Sequence, residues 1–419
     1  MVYHALLYAA LLVLGIPLLA SGAGDAAEAH AIDPVCVDEA ATNYATFQSH
    51  NQKVVANAHG IFMTHIRTRN EPYTAQQWRL SRSTDGGRTF ETIHEATHAT
   101  NPPVIETDSA GNLYLVRADF EGGGAYLYRF SPDRDFAAPQ ITTLPGAAAG
   151  KYAMRLDEPR KRLYFFSHNN RFFTVGLDGE TVERTELLKA GEHAVLQYPH
   201  LSLARDGTLH AAWTTQKHGV YLYWDIHHML SRDGGKTWRT MAGQPLAPPL
   251  AADGTGEATR ITLDDEFEVH TWLSSFAVWQ GKAHFLYLAQ HDTPRQHYTR
   301  YDIATGQEEQ RTQPVFAGES IRLQGLDGFF AIGRERGGLF CVGANGGRLA
   351  CLASWDHGKT WHDHAQSKRE FRLYSIGGYR WTTSEGYIIG SFSDTTGQEE
   401  LLDRNTRVYF FRIPTRKPL

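Results

Sequence analysis

The 419-residue chain predicts an all-β fold, a seven-bladed β-propeller. Three observations point there. A short turn motif occurs three times, and a strand–turn–strand unit recurs along the chain. Aromatic residues and Gly are frequent, while apolar runs at helical spacing are scarce.

The motif copies are Ser83-Thr84-Asp85-Gly86-Gly87-Arg88-Thr89-Phe90, Ser231-Arg232-Asp233-Gly234-Gly235-Lys236-Thr237-Trp238 and Ser354-Trp355-Asp356-His357-Gly358-Lys359-Thr360-Trp361. They share the spelling S-x-D-x-G-x-T-(W/F). Asp followed by Gly suits a tight hairpin, because the carboxylate accepts backbone N–H groups and Gly takes positive φ. The pattern resembles the Asp box of sialidase-type β-propellers. It is a structural clasp, a strong sign of fold and a weak sign of function.

Weaker turns fall between the boxes. Ser131-Pro132-Asp133-Arg134-Asp135-Phe136 is a decayed copy, and Leu177-Asp178-Gly179-Glu180 and Asp302-Ile303-Ala304-Thr305-Gly306 sit in similar context. Six markers roughly 45–70 residues apart suit four-stranded repeats. Alternating hairpins precede them near residues 54–66, 104–115, 154–166, 201–211, 275–288 and 323–342, with a last one at 379–392. Seven hairpins argue for seven blades over residues 36–419; six blades, as in sialidases, is the alternative. The strand 407–413 is expected to close the ring against N-terminal chain, removing an open sheet edge.

Ahead of this domain, residues 1–23 read as a secretory signal peptide. An apolar stretch Ala5–Ala20 is followed by the small residues Ser21-Gly22-Ala23. Residues 24–35 read as a disordered lead, and no second apolar span follows. The protein is therefore expected to be exported, to periplasm, cell surface or medium, and to act as a monomer without a membrane span. In an oxidising compartment Cys341 and Cys351, symmetric about Asn345-Gly346-Gly347, either pair across a hairpin or stay as buried thiols. The net charge of −5 gives no reason to expect nucleic acid or an anionic membrane as partner.

Propellers bind ligands at a channel mouth, on inner-strand ends and loops. Polar residues at such places include His50 and Asn51 before the first inner strand, His65 in Ile61–Arg67, Tyr114, and Arg129. A denser group follows in Ser167-His168-Asn169-Asn170-Arg171, then Tyr198-Pro199-His200. Taken singly, His65 and Tyr114 fit packing roles and Arg129 a surface charge. Together the His, Tyr and Arg residues suit an acidic sugar.

The stretch from His50-Asn51-Gln52-Lys53 through Glu71-Pro72-Tyr73-Thr74 to Asn101-Pro102-Pro103-Val104-Ile105-Glu106-Thr107-Asp108 resembles the seven-bladed L-rhamnose-α-1,4-D-glucuronate lyases. These act on rhamnose-capped side chains of arabinogalactan-type polysaccharides such as gum arabic. Some were first described as α-L-rhamnosidases, and the fold is similar to that of propeller ulvan lyases. The resemblance implies two His, a Tyr and an Arg from the first two blades. That gives His50, His65, Tyr114 and Arg129 as catalytic residues, with the interval from His50 to His65 shorter than the family pattern. Asn51, His168, Arg171 and His200 become sugar contacts. A channel Ca²⁺ is implied by resemblance alone, with no ligands identifiable here and no organic cofactor.

β-Elimination from a 4-linked uronate needs a neutralised carboxylate, a base for the C5 proton and an acid for the departing O4. An Arg fork meets the first need, and His or Tyr the others. Three alternatives stand. A sialidase is disfavoured because Arg412-Ile413-Pro414 follows every box instead of preceding them. An α-L-rhamnosidase would normally use paired carboxylates. A non-catalytic propeller would bind an acidic glycan without turnover.

Overall fold

The recurring hairpins form the inner halves of antiparallel sheets, all but the last close to the expected positions. In this computed structural model, residues 29–418 are described apart from 49, 68–74, 120–122, 148–149, 254–258, 267–268, 322–326, 335–336 and 396–405. The expected signal peptide, and the 71–74 part of the resembling stretch, lie outside the described residues. No helix among the described residues is long and apolar enough to cross a membrane.

Seven sheets of four or more strands stand in chain order, each meandering outward from an innermost strand. The innermost strands are Val54–Asn57, Val104–Thr107, Tyr152–Asp157, Ala194–Leu203, His270–Trp279, Phe329–Ile332 and Leu373–Gly378. Successive innermost strands pack against one another around a central channel. Apolar side chains from facing blades fill the spaces between sheets, as where Val104, Tyr114 and Leu127 of blade 2 meet Met154, Leu163 and Phe173 of blade 3. Burial on both faces explains why these strands read as near-continuous apolar runs.

Seven blades coexist with six turn markers because blade 7 is closed by both ends of the chain. Its third strand, Thr406–Pro414, pairs antiparallel with Val35–Ala41, so no turn joins its last two strands. The ring is also tied one blade earlier, where His30–Ile32 adds in parallel to His362–Ser367. Ordered structure thus begins before residue 36, and residues 30–35 are not a disordered lead. The last hairpin also sits differently from the expected 379–392: its strands are Leu373–Gly378 and Tyr387–Asp394, and Tyr379 falls in the turn between them.

Each Asp box joins the third and fourth strands of its blade. In the second copy Asp233 Oδ1 accepts from the N–H groups of Lys236 (3.1 Å) and Thr237 (2.9 Å), and Oδ2 from the Thr237 hydroxyl (2.7 Å). Burial acts to raise this carboxyl, but the Thr237, Ser231 and Lys236 bonds hold it down at about 2. The box leans on the preceding blade: Trp238 meets Phe172 edge-on, and a Cβ on Gly235 (φ +91°) would stand 2.6 Å from that ring.

The two cysteines of blade 6 do not pair. Cys341 is opposite Leu352 and Cys351 opposite Val342, so the one-residue offset sends the thiols to opposite sheet faces. Both are free and buried, and burial raises both thiols.

Candidate active site

Antiparallel alternation gives the channel two unlike mouths. The innermost strands begin at one, which also receives the turns between second and third strands. The Asp boxes and the first-to-second turns lie at the other. The four residues expected to act together are spread between and around these mouths.

His50 sits just before the first innermost strand. It stacks on His200 (ring centroids 4.1 Å apart) and faces Tyr198 edge-on at 6.0 Å. Burial, followed by the charges of His200, Lys53 and Arg155, keeps the His50 ring well below the ordinary imidazole range, against a backbone bond at Tyr152. His65 points away from the channel. Its Nε2 lies 3.2 Å from Asp38 Oδ2, and Asp38 also meets Arg79 at 3.2 Å and Arg67 at 3.8 Å. This cluster ties the N-terminal strand of blade 7 to blade 1.

Tyr114 and Arg129 face each other across blade 2 at the Asp-box end. The Tyr114 hydroxyl donates to Asp108 Oδ2 at 2.9 Å, and its ring packs toward blade 3. His50, His65 and the Tyr114–Arg129 pair therefore occupy three places and do not form one constellation. The spacing of His50, Tyr114 and Arg129 fits the family pattern, but spacing does not say at which end of a strand a residue falls.

The expected sugar contacts fare differently: Asn51, His168 and Arg171 all belong to the strand-start mouth, with His200 below it. Asn51 donates to Gln48 Oε1 (3.1 Å) and to the Tyr152 carbonyl. Arg171 is spent on the Gly146 carbonyl. His168 stands beside Lys151, across the hairpin whose strands are Tyr152–Asp157 and Arg162–Ser167, and donates its backbone N–H to the Lys151 carbonyl at 2.9 Å.

Lys151 is a second cation at this mouth. It extends over the Tyr198 ring (4.7 Å) and the Tyr223 ring (5.9 Å), and Nζ donates to Gln197 Oε1 at 2.6 Å. Burial pulls its ammonium down to about 8. Burial and the Lys151 charge pull His168 to about 4, so its ring is neutral near pH 7 with Nδ1 unpartnered among the described residues.

A chain of hydroxyls leads outward from Tyr198. Its oxygen lies 3.3 Å from that of Tyr223, which donates to Tyr221 at 3.0 Å. Tyr221 is 70% exposed. His270 stacks on Tyr223 at 4.7 Å, and Trp272 stands edge-on to both. Tyr44, Phe47 and Tyr374 continue the same aromatic cluster. Burial raises the Tyr223 and Tyr44 hydroxyls, so they remain protonated donors. Lys151, Tyr221, Tyr223 and His270 had not been expected. Their signal was position: Lys151 immediately precedes an innermost strand, and Tyr221 and Tyr223 stand at a second-to-third turn.

Three carboxylates near this mouth are engaged within the protein. Asp225 holds His227 at 2.9 Å, Asp253 accepts the N–H groups of His193 and Ala194, and Asp327 accepts that of Ile376. Deeper in the channel Glu106 is shared by Arg380 (2.7 Å), Gln52 (3.0 Å) and Arg155 (3.8 Å). No group of three or more His, Cys, Asp or Glu among the described residues could hold a metal ion. A channel donor set of two arginines on one carboxylate does not fit the expected Ca²⁺, which takes several oxygen ligands.

Residues 151–302 match a BNR repeat-containing family. The chain matches no curated protein sequence. Among solved structures, a PL25 ulvan lyase, described as a new family of polysaccharide lyase, superposes with a TM-score of 0.63 at 12% identity. The match covers 92% of this chain and 96% of that one. A second PL25 structure, bound to -[GlcA(1-4)Rha3S]-, gives 0.62 at 12% identity and the same coverage. The α-L-arabinanase of Penicillium chrysogenum, complexed with arabinobiose, gives 0.50 at 14% identity over 94% and 99%. At these identities the likeness is one of fold, shared by propeller lyases and propeller hydrolases.

Proposed function

We propose that the protein is a polysaccharide lyase that cleaves a 4-linked uronate by β-elimination at the strand-start mouth. The observation that carries this reading is the cation beside a neutral imidazole: Lys151 next to His168, under a file of tyrosine hydroxyls. The Lys151 ammonium neutralises the uronate carboxylate, which makes C5–H acidic. His168 takes that proton. The C5–H electron pair forms the C4=C5 double bond as the C4–O4 bond breaks, and Tyr221 gives its proton to O4, with Tyr223 as its hydrogen-bond donor. Trp272, a half-buried ring of this cluster, supplies a ring face for sugar stacking.

The finer reading is cleavage of L-rhamnose-α-1,4-D-glucuronate ends, which releases rhamnose and leaves an unsaturated glucuronate. It is supported by the resemblance in residues 50–53 and 101–108, and by a similar fold whose bound fragment joins glucuronate to a 3-sulfated rhamnose. Elimination is favoured over hydrolysis because Asp225, Asp253 and Asp327 are each engaged within the protein. The reading is tested by His168→Ala, assayed on a rhamnosyl-glucuronate oligosaccharide. Turnover should fall by about 10²–10⁴ with binding retained; unchanged turnover would remove His168 from the chemistry.

A further inference from the structure

The opposite mouth of the channel carries a different chemistry. A cavity of about 1070 Å³ opens there, lined by Arg155, Arg160, Arg205, Arg232, Arg334 and Arg380. That is at the upper end of ligand pockets, roughly 300–1,000 Å³. Two carboxylates, Asp157 and Asp206, also line it, and Glu106 lies behind the deepest arginines. Six guanidinium groups thus face three carboxylates in a protein whose net charge is −5. We propose that this mouth is a second, non-catalytic binding site for a multiply charged anionic glycan.

The arginines are arranged in depth. At the bottom Arg155 and Arg380 share Glu106, yet each keeps a buried Nε with no partner among the described residues. Arg155 is only 7% exposed. At the rim Arg205 and Arg232 are exposed and make no ion pair among the described residues. Between them Arg334 donates to the Tyr379 hydroxyl at 2.7 Å and lies over the Trp381 ring at 5.9 Å. Arg160 is engaged through Nη1 alone, on Asp157 and the Gly207 carbonyl. Guanidinium forks fit carboxylate and sulfate oxygens, and the wall residue Trp381 offers a face for a sugar ring. Charges at successive depths suit a chain entering end-on. The lining holds no Tyr or Lys, its one histidine, His210, is wholly buried, and its two carboxylates are engaged, Asp157 by Arg160 and the Tyr164 hydroxyl and Asp206 by the Thr208 N–H.

The assignment does not depend on the chemistry at the strand-start mouth, and its test is separate. Protein carrying Lys151→Ala and His168→Ala is titrated calorimetrically with a 4-linked uronate hexasaccharide, with a sulfated hexasaccharide, and with an uncharged one. Both anionic probes, or one of them, should bind at a single site, and the uncharged probe should not. Adding Arg205→Glu and Arg232→Glu should weaken that binding at least tenfold. The same two changes in the otherwise natural chain should leave turnover of a short substrate unchanged. Absence of binding, equal binding of the uncharged probe, tighter binding of single-stranded nucleic acid, or a weakening under twofold would each overturn the proposal.

Discussion

Lys151 and His168 form a pair whose protonation sets a working pH window. Burial holds the Lys151 ammonium at about 8, and burial with the lysine's charge holds His168 at about 4. The active form has a charged lysine and a neutral histidine. Activity is therefore expected to rise as pH climbs through about 4 and to fall above about 8, which a kcat/KM–pH profile reads directly. Lys151→Ala removes the charge that stabilises the developing enolate and should cost about 10²–10³ in kcat. By contrast, Tyr114→Phe and Arg129→Ala act at the Asp-box end and should leave turnover within about twofold. At this scale the sequence was partly legible. Asn51, His168 and Arg171 belong to one mouth because they flank strand starts or second-strand ends. Tyr114 and Arg129 misled because interval along the chain matches a family pattern equally well at either end of a hairpin. Tyr221 and His270 carried no local motif, and only the ring brings them to Tyr223.

The blade is the element that the sequence displays most openly. Each Asp box encodes its own turn, since the Asp, Ser and Thr that bond within it are adjacent in the chain. What was not legible is where the box docks, because Phe172 lies in the preceding blade, far from Trp238 in sequence. Gly235→Ala tests that docking. The Cβ meets Phe172 at 2.6 Å and the backbone has φ +91°, so the change should cost about 2 kcal/mol in denaturant unfolding. The one-residue stagger that separates Cys341 from Cys351 was equally hidden, because a symmetric turn motif does not specify register.

For the whole molecule, closure decides both stability and the number of blades. The N-terminal strand Val35–Ala41 completes blade 7, and Asp38 clips it to His65 and Arg79 of blade 1. Burial acts to raise the Asp38 carboxyl, but His65, the Ala40 N–H and Arg67 outweigh it and hold it at about 2, below the ordinary 3.8. A carboxyl lowered by folding stabilises above its unfolded pKa, and loses that contribution as pH falls from about 4 to about 2. Asp38→Asn should thus cost about 2 kcal/mol at pH 7, with the gap to the natural chain closing below pH 3. Closure by an N-terminal strand was expected from the apolar run 407–413, whereas the clip on Asp38 was not, since His65 alone resembles any histidine in a strand.

The ring also sets two unlike mouths on one channel, one with proton-transfer groups and one with arginines. The claim that the first performs elimination is tested most directly by the product. Purified protein is incubated with a rhamnosyl-α-1,4-glucuronate oligosaccharide, and ultraviolet absorbance and product mass are followed. Elimination predicts free rhamnose, a rising absorbance from the C4=C5 double bond, and a glucuronate end one water lighter than the saturated sugar. Rhamnose released with a saturated glucuronate and no absorbance change would contradict it.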